Sequence, residues 1–148
     1  MSELFPNDLI LQTYIGLSGR GSFANDEARK SYLINVCKQP MFVSFDFSYF
    51  GLRNDDLDDI FNGLVEREAG NPQNSVLLLN LVSDEVTEEG IKSFLRKLQR
   101  GVVVNRKKVF PDVRNGVFRV GFPITDIFFT ELLDIAPSVF AGSLKIVY

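Results

Sequence analysis

Four carboxylates, Asp55, Asp56, Asp58 and Asp59, crowd one stretch of the chain, VSFDFSYFGLRNDDLDDIF at positions 43–61. Oxygens at this density suit three kinds of chemistry. They could ligate a hard cation, which needs several such oxygens converging from different directions. They could hold a fixed negative face toward a basic partner. They could also begin a helix, where unpaired N–H groups and the positive end of the dipole favour acids. No D-x-D-x-D-G calcium loop follows, and Leu57 and Ile60 stand among the acids as core-facing residues would. The helix start is the first reading, a partner surface the second and a metal site the last. No metal and no other cofactor is expected.

Two further stretches have residue types that bind ligands. GLSGRGS at 16–22 lies between a predicted strand and a predicted helix, where backbone N–H groups cradle anions. Its Ser18, Gly19, Arg20, Gly21 and Ser22 are candidate anion-binding residues for a small phosphate- or nucleotide-handling enzyme. The glycine spacing fits neither the dinucleotide fingerprint nor the phosphate loop, so a plain turn is the simpler reading. The third stretch is basic. Residues 92–114 hold Lys92, Arg96, Lys97, Arg100, Arg106, Lys107, Lys108 and Arg114 against one acid, Asp112. That leaves eight basic and eighteen acidic residues elsewhere, a net −10. Such asymmetry marks an interaction surface or a solvated helix end followed by a loop. Lys92, Arg96 and Lys97 are expected to point away from the apolar face of their helix, with Arg106, Lys107 and Lys108 in a loop. Nucleic acid needs such charge with stacking aromatics. Only Phe110 stands nearby in the loop, so an acidic protein surface ranks ahead of nucleic acid.

Absences remove most reaction classes. The chain has no histidine and one cysteine. Ser-His and Cys-His catalysis, His-ligated zinc and the usual neutral-pH acid–base group are excluded, as are cysteine-cluster zinc sites. Cys37, near the end of a predicted helix, reads as a core residue, and no catalytic residue is assigned.

The elements that must position these groups follow from periodicity. The 148 residues suit one domain with a sizeable core, rich in Phe at 14 residues and lacking Trp. Strands are predicted at 8–15, 41–47, 75–82, 117–122 and 143–148, the last as an edge. Helices are predicted at 23–38, 54–68, 84–100 and 125–136, the last begun by Thr125 or Asp126. The helix at 54–68 carries Leu57, Ile60, Phe61, Leu64 and Val65 at helical spacing. Residues 102–116 read as a strand or a ragged hairpin. This alternation argues for an α/β domain with a mixed central sheet of about five to six strands. No apolar run approaches the ~20 residues that span a bilayer, so no membrane association is expected. The segment MSELFPNDLILQ lacks a basic-then-apolar pattern, so no signal peptide is expected and the expected location is cytoplasmic.

The strand ending in Asp46-Phe47-Ser48, followed by a bend and a helix, resembles STAS domains, the fold of anti-sigma-factor antagonists. Leu52-Arg53-Asn54-Asp55 stands where those domains carry a phosphorylatable serine; no Ser or Thr occupies that turn here. A closer resemblance is to STAS-like proteins of unknown function, carried by Ser18-Gly19-Arg20, Asp46-Phe47, Phe61 and Leu79-Asn80, over roughly residues 10–100. Residues 101–148 would then be a C-terminal strand-helix-strand extension completing the sheet. The resemblance implies a non-enzymatic regulatory module, in a bacterium or phage, that binds a protein partner such as a kinase-like ATP-binding regulator. Its surface would comprise Ser48, Arg53, Asn54, Asp55 and Asp58, with Asp55 supplying a permanent negative charge near the phosphoserine position. Self-association through the apolar IFFTELLDIAPSVF stretch is a further expectation.

Overall fold

A computed structural model describes residues 25–48, 50–70, 72, 75–113, 116–135 and 145–147. In chain order the described elements are helix α1 (Asp26–Cys37), strand β1 (Ser44–Asp46), helix α2 (Asn54–Ala69), strand β2 (Leu78–Asn80), helix α3 (Glu88–Arg100), strands β3 (Val102–Val104), β4 (Lys107–Val109) and β5 (Val117–Arg119), helix α4 (Asp126–Ile135) and strand β6 (Lys145–Val147). The α/β class is as expected. The sheet differs from expectation: among the described residues it has four strands, ordered β1-β2-β5-β6 and all parallel, and the antiparallel pair β3–β4 stands apart. The predicted strand at 8–15 and the glycine loop at 16–22 lie outside the described residues, as does Arg114.

Sheet neighbours follow chain order, so α2 lies beside α3 and α3 beside α4. Phe45, Leu79 and Phe118 are in register and fully buried. Their face meets the helices, since the Phe118 ring lies 5.7 Å from that of Phe94 on α3. Phe47, Leu81 and Val120, two residues further along, are buried too, as the period of two requires. The intervening Asp46 and Asn80 are half-buried and Arg119 is exposed. Among the described residues one face of β1 is closed by the helices and the other, with Asp46, is partly open, whereas the apolar run at 41–47 suggests burial on both faces.

α1 begins where Asn25 Oδ1 accepts a hydrogen bond from Ala28 N at 2.8 Å and lies along α2. Gly63 permits their close approach, because a Cβ there would meet Cys37 Cβ at 2.7 Å and Ile34 O at 2.8 Å. Buried Arg67 on α2 donates to the carbonyls of Gln39 (2.6 Å) and Phe42, fixing the link between α1 and β1. Burial pushes the thiol of Cys37 up, against the pull of Arg67, so it is an inert core group.

The 102–116 region resolves into a hairpin. Val102 pairs with Val109 and Val104 with Lys107. Asn105 and Arg106 form the two-residue connection with φ of 51° and 67°, the type I′ geometry that matches strand twist. At α4 the choice of cap falls to Thr125, whose Oγ1 accepts from Phe128 N at 3.1 Å. β5 and β6 extend the sheet begun by β1 and β2. Among the described residues no helix is long and apolar enough to cross a membrane.

Candidate functional site

The segment from Ser48 to Asp59 links β1 to α2 and contains four of the carboxylates. Each has a different environment. Asp56 is buried, and Arg29 of α1 grips it with two bonds, Nε to Oδ1 at 3.0 Å and Nη2 to Oδ2 at 2.7 Å. Its Oδ2 also accepts from Arg53 N at 2.8 Å, one arm of a capping box at the start of α2. Arg29 is completed by the carbonyl of Gly51 at 3.1 Å and by the Phe50 ring, 4.0 Å below its guanidinium carbon. The reading of all four acids as a solvated helix start therefore fails at Asp56. A buried carboxylate needs paired donors, and it has three.

The other acids diverge. Asp58 pairs with Lys97 of α3. Asp59 is half-buried; burial raises its pKa above the ordinary 3.8, Lys30 opposes this, and the charges of Asp56, Asp58 and Asp55 add to the rise. Asp55 is exposed and makes no hydrogen bond or ion pair among the described residues. Among the described residues no group of three or more His, Cys, Asp or Glu side chains is placed to hold a metal ion.

The start of α2 is tied to the start of α3. Asn54 Nδ2 donates to Thr87 Oγ1 at 3.0 Å, and Thr87 N donates back to Asn54 Oδ1 at 3.1 Å. Thr87 Oγ1 in turn caps α3 by accepting from Gly90 N at 3.1 Å. α3 thus begins at Glu88, later than the expected residue 84. Gly90 is required for this clasp, since a Cβ there would lie 2.0 Å from Asn54 Oδ1. Ser83 Oγ donates to the carbonyl of Leu52 at 2.6 Å, and Arg53 bridges Glu85 in parallel fashion. Ser48 N donates to Asp46 Oδ1 at 2.9 Å, which fixes the bend after β1.

Of the residues predicted as a partner surface, Ser48, Arg53, Asn54 and Asp55 lie on this one loop and helix start. Arg53 is 41 % exposed and reaches Asp26 at 3.8 Å; Asp58 sits a turn further on, facing α3. Arg29, Ser83 and Thr87 were missed. Arg29 had a signal: it stands three, four and seven residues before Tyr32, Leu33 and Val36, in the apolar stripe of α1.

The basic residues separate likewise. Lys92 and Lys97 do not point away from the apolar face, contrary to expectation. Lys92 is 11 % exposed, lies 6.0 Å from the Phe128 ring and pairs with Glu131 of α4 and with Glu89 at 2.9 Å. Hydrogen bonds to Glu131 and Glu89 raise its pKa. Lys97 lies 5.9 Å from the Phe61 ring. Arg96, Arg106, Lys107 and Lys108 are exposed, the last three on the hairpin. Ser18, Gly19, Arg20, Gly21 and Ser22 lie outside the described residues. In the apolar stretch expected to self-associate, Phe128 is fully buried and Ile127 is exposed.

No protein-family model matches the chain, and no curated protein or solved structure matches it.

Proposed function

We propose that this protein is a non-enzymatic, STAS-like interaction module that binds a protein partner through the loop after β1 and the first turn of α2. One observation carries the reading. Asp55 is an exposed carboxylate without a partner among the described residues, on a helix start held from both sides by buried or reciprocal bonds: Arg29–Asp56 on one side, Asn54–Thr87 on the other. Asp56 and Asp58 have structural partners; Asp55 has none among the described residues. A charged group on a braced frame pays little ordering entropy on binding and steers a basic partner. The resemblance through Asp46, Phe47 and Ser48 adds that the partner is a regulatory protein of the kinase-like ATP-binding type, and that Asp55 carries permanently the charge a phosphoserine would carry.

The test is affinity capture from the native host with wild type and Asp55→Arg side by side, read by mass spectrometry, with circular dichroism as a check of folding. The expected result is one regulatory protein retained by wild type and lost with the folded variant. Equal capture by both baits would overturn the assignment.

A further inference from the structure

Along α2 from Asp55, between its middle at Phe61 and Asn62 and its last turn at Glu68 and Ala69, lies a second surface of opposite charge. The sequence groups eight cations between 92 and 114, but the fold divides them. Lys92 and Lys97 are spent on Glu131, Glu89 and Asp58. Arg96, Arg100, Arg106, Lys107 and Lys108 are exposed and form no ion pair among the described residues. Four of these five lie at the end of α3 and on the β3–β4 hairpin.

The same hairpin exposes apolar surface. Val103 is 65 % exposed, Phe110 49 % and Val102 36 %. Val103 is in register with Lys108, and the outward side of the ribbon continues to Phe110 beside Gly101. Val109, by contrast, is buried and Val104 packs against the core, so the hairpin is anchored by one side and offers the other. Concave space flanks it. A cavity of about 500 Å³ lies among Phe61, Arg100, Val102 and Lys108, and another of about 330 Å³ among Glu68, Val104, Lys108 and Phe110. Glu68 lines this second cavity with its Oε1 accepting from Asp112 N at 3.0 Å, one acid against the cations around it.

Cations interleaved with β-branched and aromatic residues, beside cavities of a few hundred Å³, complement one chemistry best. We propose that the outer side of the β3–β4 hairpin docks an extended acidic polypeptide segment whose carboxylates meet Arg100, Arg106 and Lys108 and whose aliphatic side chains cover Val103 and Phe110. Among the described residues β3 pairs with a strand on one side only, which leaves its other edge for an added strand. The surface favours such a segment over nucleic acid because its exposed apolar residues are Val102, Val103 and one aromatic, Phe110, to stack on a base. The site is distinct from the α2 start, and its test does not involve Asp55.

The experiment is fluorescence anisotropy on the full chain with three labelled probes: a synthetic ten-residue peptide alternating glutamate and valine, a glutamate–glycine peptide of equal charge, and a single-stranded oligonucleotide of equal charge. The expected result is saturable binding of the glutamate–valine peptide. Lys108→Glu and Val103→Asp, both at exposed positions, should each weaken it on the order of tenfold, with unchanged circular dichroism. No binding of that peptide at millimolar concentration would overturn the proposal. So would equal affinity for the glutamate–glycine peptide, tighter binding of the oligonucleotide, or indifference to both hairpin variants.

Discussion

Asp55 and Asp56 are adjacent, identical and opposite in role. Asp56 points inward to a guanidinium held by two hydrogen bonds, a carbonyl and a ring face; Asp55 points to water. Removing one member of a buried pair leaves the other desolvated and uncompensated, which costs about 3–5 kcal/mol. Asp56→Ala should therefore lose that much stability in urea denaturation, while Asp55→Ala should stay within about 0.5 kcal/mol of wild type. Equal effects would refute the division of roles. The contrast also separates a fold defect from a binding defect in any study of this segment.

At the scale of elements, α2 and α3 share one capping system. Thr87 caps its own helix through Gly90 N and also takes and gives a hydrogen bond with Asn54. Loss of an N-cap side chain costs about 1–2 kcal/mol. Thr87→Ala and Asn54→Ala should each destabilise in that range. Because they remove the same contact, the double variant should cost less than the sum of the singles. Additive costs in a double-mutant cycle would show that the two helix starts are independent. Helix α2 was legible in outline, since Leu57, Ile60, Phe61, Leu64 and Val65 mark its buried face and all five are buried. The clasp was not legible, because Asn54 and Thr87 are thirty-three residues apart and each alone looks like an ordinary cap.

At the scale of the whole molecule, Phe94 joins three elements. Its ring meets Phe61 of α2 edge-on at 6.4 Å and Phe118 of β5 at 5.7 Å. Phe94→Ala removes both contacts and leaves a cavity where helix layer and sheet meet, at about 3–5 kcal/mol. That is a large part of the ~5–15 kcal/mol that holds a domain together, so the thermal midpoint should fall sharply in circular dichroism. A variant as stable as wild type would mean that this interface is not the centre of the core. Charge, at the same scale, is divided along α2: Asp55 at its start, and Arg100, Lys107 and Lys108 beside its middle and last turn, none of them with an ion pair among the described residues.

Periodicity alone located the helices to within four residues at either end and placed a strand over each of β1, β2, β5 and β6, because those patterns reflect which residues must leave water, a local property of the chain. Residue types alone likewise excluded histidine chemistry. Partnership was decided by tertiary structure. Which of four neighbouring aspartates is buried depends on Arg29, twenty-seven residues earlier, and Lys97 and Lys92 are paired by acids thirty-nine residues away, Asp58 before the one and Glu131 after the other. The parallel pairing of the sheet and the separation of the hairpin from it are of the same kind. Each is a contact between distant segments, and its energy exists only once the chain has brought them together.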